Sequence, residues 1–428
     1  MQKGPYEPEA KREVHLYRTE RKDAMANRTP MSLPARYGIA RTSARALCIL
    51  ILLCGGAGAQ DYERHESIVG AVIYDHDPST TLGDDVFGNV IADFGNPANG
   101  RLRCSHGGPV CMEYADGTLV AFYANTSSHN LDGWSEYALS RDGGRTWDKY
   151  HPFPYSREAY RKDPKHPVWI EEGLVTEKGT AVLFLTHFGN GKRTGNSIMR
   201  SHDHGTTWSD PEPLAKETVG YPAAVAVAGA VNYVLLDSLN AGHELHVSTD
   251  DGQTWSRRST LPLQKDAWYG AMCVMEDGRL LAGAYVTHDE NHLHYCISQD
   301  GGHTWSEQQE AYVDKKIRDP ELAYLDGKYY LHGRSGQSGD GRGRFVLYQS
   351  TDGIRWKNGV IVSGDTRHPD GYSHNCIINK YDDNAASELM VLYSIIYSPP
   401  RTSEYVFFVK PEHERLKRPG RGGTGSSH

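Results

Sequence analysis

The chain has 428 residues, with 46 lysines and arginines against 54 aspartates and glutamates, which gives a formal net charge of −8 at pH 7. A nucleic-acid-binding protein normally carries a basic stripe, so this balance argues against nucleic acid as a partner. The ends of the chain differ from its middle, because residues 1–45 and 415–428 are charged and irregular whereas the middle is repetitive.

The first element in chain order is an apolar run at residues 46–54, ALCILILLC, which follows several arginines and precedes Ala57-Gly58-Ala59. A basic flank, a short apolar core and a small-residue cleavage site are the parts of a secretory signal peptide, and the run is too short to span a bilayer. We therefore expect residues 1–59 to be a leader and signal peptide, with a signal anchor as the alternative. Residues 60–412 would form one folded domain and residues 413–428 a disordered basic tail. The mature protein would be secreted or periplasmic, without stable membrane insertion.

One turn motif then recurs five times. Its copies are SRDGGRTW at 140–147, SHDHGTTW at 201–208, STDDGQTW at 248–255, SQDGGHTW at 298–305 and the shorter STDGIRW at 350–356. A period near fifty residues in a strand-rich chain indicates a propeller or solenoid. The aspartate can accept N–H groups of its own turn, the glycine can adopt positive φ and the tryptophan offers a large apolar face. The motif is therefore interpreted as a folding element, repeated in each structural unit, rather than a catalytic one.

A second repeat lies between copies of the first. Asp116-Gly117, Lys178-Gly179, Asp277-Gly278 and Asp326-Gly327 each separate two apolar runs, and looser versions occur at 227–231 and 382–393. Such pairs are strong β-hairpin signals. Six hairpins predict an all-β, six-bladed β-propeller. Residues 61–100, closing with residues 405–409, leave room for a seventh blade.

The two repeats together resemble the Asp-box, or sialidase-type, β-propellers over roughly residues 100–410. The S-x-D-x-G-x-T-W repeat carries this resemblance. It implies the propeller fold, and it says little about chemistry because function depends on the site rather than the fold.

The hairpins also predict where a site would lie. They join the inner strand of each blade to the second strand on one face, so residues before the inner strand and after the second converge on the opposite rim. The inner-strand starts are His106, Tyr221, Tyr269, Arg318, Asp319, Tyr372 and His374, and the second-strand ends are His129, His187, Asn190, Asn240, His243, His288, Arg334 and Tyr397. The concentration of histidine, tyrosine and arginine at equivalent positions predicts a functional rim.

Part of this rim resembles a sialidase site. Asp319, followed one hairpin later by Arg334, resembles the family's acidic residue and the arginine that grips the substrate carboxylate, and Tyr372 lies in a segment like that of the nucleophilic tyrosine. The resemblance implies an anionic sugar, since arginine binds a carboxylate bidentately. The chain departs from the family at Gly107-Gly108-Pro109, where an arginine is expected. It also departs where the family has an acid/base aspartate; Asp132 could serve there, but His129 is better placed.

These departures favour β-elimination on a uronate-containing polysaccharide, and the residue types are similar to those of propeller-fold ulvan lyases. Histidine titrates in a range suited to proton abstraction, which we assign to His129 with His187 as its rival, and Tyr221 or Tyr269 would protonate the leaving oxygen. Arg334 would hold the carboxylate. The other predicted substrate contacts are Asn190, Asn240, His243, Arg318, Tyr372 and His374. A sialidase-type exo-glycosidase and a non-catalytic glycan-binding propeller remain alternatives, and in each case the partner is an acidic glycan and the protein a monomer.

The stretch THDENHLHYC at residues 287–296 raises the question of a metal. If it is extended, His292, His294 and Cys296 point the same way, which is compatible with a structural zinc ion. The alternative is a polar strand with a buried cysteine. No cofactor is required for the expected chemistry.

Overall fold

A computed structural model describes residues 71–72, 89–93, 109–126, 133–215, 219–238, 242–335, 344–361, 372–398 and 401–409. The predicted leader and the basic tail lie outside these ranges. Within them the chain forms 25 strands and one helix, α1 (Pro154–Lys162), and none of the described helical segments could cross a bilayer. Two short strands come first, β1 (Ala71–Val72) and β2 (Asn89–Asp93).

Five four-stranded antiparallel sheets follow in chain order, here called blades 1 to 5, and in each the first strand is innermost. Blade 1 contains β3 (Val110–Glu113), β4 (Leu119–Asn125), β5 (Trp134–Ser140) and β6 (Asp148–Pro152). Blade 2 contains β7 (Val168–Val175), β8 (Ala181–Gly189), β9 (Lys192–Ser201) and β10 (Glu212–Pro213). Blade 3 contains β11 (Gly220–Ala228), β12 (Val231–Ser238), β13 (Gly242–Ser248) and β14 (Ser256–Thr260). Blade 4 contains β15 (Ala267–Val274), β16 (Leu280–Val286), β17 (Asp289–Ser298) and β18 (Gln309–Tyr312), and blade 5 contains β19 (Arg318–Leu325), β20 (Lys328–Ser335), β21 (Arg344–Ser350) and β22 (Lys357–Ile361).

The remaining described strands form a different, five-stranded sheet from both ends of the domain. It contains β23 (Ser373–Ile378), β24 (Glu388–Ser398) and β25 (Arg401–Val409), and both β1 and β2 pair with β25. The sequence predicted six equivalent blades or a seventh closed by residues 405–409. Among the described residues there are instead five regular blades. Residues 405–409 belong to β25, which lies between β24 and the N-terminal strands β1 and β2, so they complete the five-stranded sheet rather than a seventh blade.

The innermost strands follow one another around a ring in the order β3, β7, β11, β15, β19, β23, and β23 contacts β3. The carboxylate of Glu113, at the end of β3, accepts the N–H groups of Asn379 and Lys380 at 2.7 and 2.9 Å. These residues directly follow β23, so a buried acid of blade 1 joins it to the five-stranded sheet. The all-β propeller predicted from the sequence is confirmed.

The recurring turn, called the Asp-box, lies between the third and fourth strands of each blade. In the first copy, Ser140 Oγ donates to Asp142 Oδ1 at 2.8 Å, while the N–H and hydroxyl of Thr146 donate to the same carboxylate at 2.9 and 2.6 Å. In the third copy Gly252 has φ of +77°, and a Cβ there would lie 2.7 Å from Val182 Cγ2 in the neighbouring blade. Positive φ and close packing together explain the glycine.

The tryptophan of each box packs towards the preceding unit. Trp255 of blade 3 meets Phe184 of blade 2 edge to face at a centroid distance of 5.0 Å, and Trp208 of blade 2 meets Phe153, which follows blade 1, at 5.8 Å. The structural role predicted for the motif is therefore confirmed.

The Asp-boxes and the inner hairpins lie on the same side of the ring. Thr180 of the blade 2 hairpin donates its hydroxyl to Asp251 of the blade 3 box at 2.7 Å. The six predicted hairpins all join the first and second strands of their sheets. The starts of the inner strands are consequently left for the opposite rim, as the sequence predicted.

Candidate functional site

The inner strands of blades 2 to 5 are irregular at their starts. Their pairing registers shift at Glu171, at Ala223, at residues 269–270 and at residues 319–320. Tyr269 and Asp319, within two of these irregularities, have φ of +50° and +47°. Non-glycine residues rarely adopt positive φ, and such conformations concentrate at functional sites, where bulges redirect side chains.

Tyr269 is the centre of an aromatic group that we call the tyrosine cluster. Its ring centroid lies 5.6 Å from that of Tyr221, 6.0 Å from that of Tyr285 and 6.4 Å from that of Tyr372. Blade 3, blade 4 and the segment before β23 supply these rings, so the cluster joins distant parts of the sequence.

Arg334 links the cluster to blade 5. It lies near the end of β20 and forms a buried ion pair through Nε with Asp319 Oδ2. Its guanidinium carbon lies 5.1 Å from the centroid of the Tyr372 ring, within the range of a cation–π contact. Burial alone would lower the pKa of Arg334, but the Asp319 carboxylate and the neighbouring tyrosines together more than offset this, and the pKa is raised. The guanidinium is therefore a fixed positive charge.

Arg318 has the same kind of surroundings. Its Nε lies 3.4 Å from Glu290 Oε1, its Nη2 donates to the Tyr285 hydroxyl at 3.1 Å, and its guanidinium carbon lies 5.3 Å from the Tyr285 centroid. Burial raises the pKa of Tyr285 to about 12. This tyrosine therefore carries its proton at neutral pH.

Arg193, on the third strand of blade 2, is the next cation beside the cluster. Its guanidinium carbon lies 5.2 Å from the Tyr221 centroid and its Nη2 lies 3.8 Å from Glu171 Oε1. The hydroxyl of Thr186 donates to the other oxygen of Glu171. Three guanidinium groups of the described residues thus each have one carboxylate and one tyrosine ring as neighbours.

Two further acids lie on opposite inner strands, Glu172 on β7 and Glu321 on β19. Burial raises the pKa of both well above the usual range, and for Glu321 the charge of Glu172 adds to this effect. His374 Nδ1 lies 3.3 Å from Glu172 Oε1, and burial lowers the pKa of His374 to about 3. A neutral histidine, and carboxyl groups whose burial disfavours their charged form, therefore border the cluster.

The same environment acts on the tyrosines. The pKa of Tyr269 is raised well above its usual value, first by the neighbouring Tyr372 and then by burial. The pKa of Tyr221 is raised by burial and then by Glu171 and Glu172. These hydroxyl groups are proton donors at neutral pH, and either would need a carboxylate to accept its proton before it could act as a nucleophile.

Six residues predicted from the sequence are brought together here, namely Tyr221, Tyr269, Arg318, Asp319, Arg334 and Tyr372, and a seventh, His374, lies beside Glu172. Sequence reasoning missed Arg193, Tyr285, Glu171, Glu172, Glu290 and Glu321. One signal was available, because Glu171 and Glu172 interrupt the otherwise apolar run VWIEEGLV of a fully buried inner strand. Adjacent acids in such a strand are unusual unless they are paired or functional.

Other predicted residues lie elsewhere. His187 Nε2 lies 2.7 Å from Ser197 Oγ, whereas the next residue, Phe188, has Arg193 over its ring. The contact that the structure gives for the His187 ring is thus with Ser197 on β9, not with the tyrosines. Asn190 is exposed and has φ of +52° in the turn between β8 and β9, which makes it a turn residue. His129 and Asn240 lie outside the described residues.

His243 lies behind the cluster rather than in it. It is buried, and burial lowers its pKa while Asp237 raises it. Asp237 in turn accepts the N–H of Tyr269 at 3.3 Å. His243 was predicted to contact substrate. In the structure it lies next to Asp237, the residue that holds the Tyr269 backbone.

The predicted metal ligands are not grouped as expected. Cys296 lies in the apolar core between blades 3 and 4 with Leu245 and Met272, and burial raises the pKa of its thiol to about 12. A thiol must lose its proton to bind zinc. Cys296 is therefore a core residue, whereas His292 and His294 lie next to carboxylates.

Comparison with known proteins supports the fold. Residues 231–379 match the family model described as a BNR repeat-like domain, and no curated protein matches the sequence. A protein of unknown function from Dyadobacter fermentans has 15% identity and a TM-score of 0.59, over 76% of this chain and 98% of that one. A Hadza microbial sialidase has 18% identity and a TM-score of 0.59, over 76% of this chain and 68% of that one. A mutant of NanB sialidase from Streptococcus pneumoniae has 12% identity and a TM-score of 0.55, over 78% and 72%. Residues 231–379 are thus similar to a BNR repeat-like domain, and the chain has a β-propeller fold like that of these sialidases.

Proposed function

We propose that the protein is a carbohydrate-active enzyme that hydrolyses the glycosidic bond of a carboxylate-bearing sugar, with the tyrosine cluster as its active site. The observation that carries this proposal is the arrangement of Arg334, held by Asp319 and placed over the ring of Tyr372. It joins an anion-binding group to a candidate nucleophile.

The arginines support an anionic ligand. Guanidinium groups form bidentate, charge-assisted hydrogen bonds with carboxylates, and their affinity for an anion is greatest where water is excluded. Arg193, Arg318 and Arg334 come from three strands and surround one cluster. A carboxylate would exchange water for these donors, and the tyrosine rings would contact the apolar side of the sugar.

The tyrosines support covalent chemistry. The Tyr372 oxygen would attack the anomeric carbon while its proton passes to a carboxylate, which we assign to Asp319 because that residue shares Arg334 with Tyr372. The leaving oxygen needs an acid, and Asp132 or His129 would supply it. Water would then cleave the glycosyl–tyrosine bond. The sialidases of similar fold favour this reading, and the departures near residues 107–109 indicate a different anionic sugar or different carboxylate contacts.

β-Elimination on a uronate is the second candidate. It is favoured by the protonated state of Tyr269 and Tyr285, since a tyrosine hydroxyl can protonate a leaving oxygen. The ring of His187 contacts Ser197 rather than a tyrosine of the cluster, so we assign the base to His129. Either reaction is consistent with a secreted monomer that acts on extracellular glycans. The signal-like segment at residues 46–54 supports secretion.

The deciding experiment is incubation of the purified protein with sialosides and with uronate polysaccharides. Free reducing sugar without ultraviolet absorbance of an unsaturated uronate supports hydrolysis, whereas that absorbance supports elimination. Tyr372→Phe should abolish turnover and retain binding, and Tyr155→Phe on α1 is the matched control. Tight binding without turnover of any glycan would overturn the enzymatic proposal.

A further inference from the structure

A group of imidazole and carboxylate side chains lies at the outer edge of blade 4. Asp289, His292 and Glu310 each offer one candidate ligand atom, and these three atoms lie within 4.8 Å of one another. His292 Nδ1 lies 2.8 and 3.0 Å from the two oxygens of Asp289. Donor atoms at these separations can share one small cation.

The strand register explains why these residues meet. The two-residue turn after β16 pairs Val286 with Asp289, and β17 then runs beside β18 with His294 opposite Glu310. His292 and His294 are two positions apart and share one face of the strand. The turn thus returns Asp289 to the same end of the blade as Glu310.

His294 supplies a second, independent observation. It is 2% exposed, and its buried Nε2 lies 3.2 Å from Asp289 Oδ2 in an ion-pair contact that lacks good hydrogen-bond geometry. The amide nitrogen of Gln308 lies 3.1 Å from the other ring nitrogen. Buried polar atoms normally have a partner, so a buried imidazole directed at a carboxylate needs an explanation.

We propose that this edge binds one divalent transition-metal ion of the zinc type through Asp289, His292 and Glu310, with His294 orienting Asp289. Mixed imidazole and carboxylate donors favour zinc-type ions, whereas calcium and magnesium prefer oxygen ligands alone. Two carboxylates balance the charge of the ion. Three protein ligands leave a fourth position for water, and an outer imidazole that fixes a ligating carboxylate is typical of metal sites.

The site differs from the trio expected from the sequence, because Asp289 and Glu310 replace Cys296. It is independent of the proposed hydrolase activity. It would nevertheless fix the start of β17, which carries Glu290, and Glu290 lies 3.4 Å from Arg318 beside the tyrosine cluster.

The test uses the full chain, stripped of metal and titrated with Zn²⁺ by calorimetry. Wild type should bind one equivalent more than His292→Ala or Asp289→Asn. His294→Gln should lower the affinity roughly 10- to 100-fold, as loss of a supporting outer residue does. His288→Ala is the matched control, because His288 is exposed in the same turn and lies 3.2 Å from Asp266 instead.

Each outcome decides the proposal. Loss of one equivalent in both ligand variants, with unchanged binding by His288→Ala, supports it. Zn²⁺ binding by Asp289→Asn and His292→Ala equal to that of wild type would overturn it, as would no Zn²⁺ uptake by wild type or equal affinity for Ca²⁺. Circular dichroism checks that each ligand variant is folded. If only one of them folds, its Zn²⁺ stoichiometry alone decides the outcome.

Discussion

The guanidinium carbon of Arg334 lies 5.1 Å from the ring centroid of Tyr372, with the carboxylate of Asp319 ion-paired to the same guanidinium. Asp319 lies in β19, Arg334 lies in β20, and Tyr372 directly precedes β23. The packing of β23 beside β19 brings the third to the other two. This contact therefore connects the integrity of the propeller to the chemistry proposed for it.

Arg334→Ala should lower kcat/KM by about 10² to 10³-fold, the range seen when a group that stabilises transition-state charge is removed. It should also destabilise the fold by about 3–5 kcal/mol, because Asp319 would remain as a buried, unpaired charge. Steady-state kinetics and urea unfolding measure both. Arg279→Ala, which removes an exposed ion pair with Asp277 in a hairpin, is the control. Equal effects of the two variants would disprove a special role for Arg334.

Asp132→Asn and His129→Ala separate the two reaction classes. If Asp132 is the acid of a hydrolase, its loss should lower kcat by about 10²–10⁴-fold and His129→Ala should have little effect. The reverse result would favour proton abstraction by His129 in a lyase. The comparison is made with whichever glycan the wild-type protein turns over.

Trp255→Ala should destabilise the protein by roughly 3–5 kcal/mol, since it removes a buried ring that packs on Phe184 of the neighbouring blade. Tyr312→Ala, at a side chain that is 60% exposed, serves as the surface control. Thermal unfolding measures both variants. An unchanged melting temperature in Trp255→Ala would contradict the structural reading of the Asp-box.

Stability should decrease between about pH 6.5 and pH 4 because of His332. Burial lowers its pKa from 6.5 to about 4, although the hydrogen bond to Asn375 opposes this shift. Below pH 6.5 His332 binds a proton in the unfolded chain but not in the folded protein. The free energy of unfolding is therefore unaffected by this residue above pH 6.5 and decreases as the pH falls towards 4. The effect corresponds to about 3 kcal/mol.

The melting temperature, measured across this pH range, tests the expectation. His332→Gln should flatten the profile while retaining a polar group near Ser373 and Asn375. An equally steep profile in the variant would assign the acid sensitivity to other groups, such as His374.

The site itself was only partly predictable. Residues at the starts of inner strands were found because that rule depends on chain order alone, and it placed Tyr221, Tyr269, Arg318 and Tyr372 on one rim. Arg193 was missed because it lies on a third strand, and its side chain reaches Tyr221 only through the packing of two blades. His187 was assigned to the site, but its ring contacts Ser197 on β9 instead.

By itself the sequence determined the features that depend on contacts within a few residues. The Asp-box closes through bonds among Ser140, Asp142 and Thr146, and each Asp-Gly hairpin closes on its own two strands, so both can be identified from spacing. Only the tertiary structure decided that the last sheet takes strands from both ends of the domain, and that Glu172 acts on the pKa of Glu321 from an opposite inner strand. It also decided that His292 has Asp289 and Glu310, rather than Cys296, as neighbours. The physical reason is that bulges and ring closure set side-chain directions across blades, and neither is encoded in the spacing of residues within one blade.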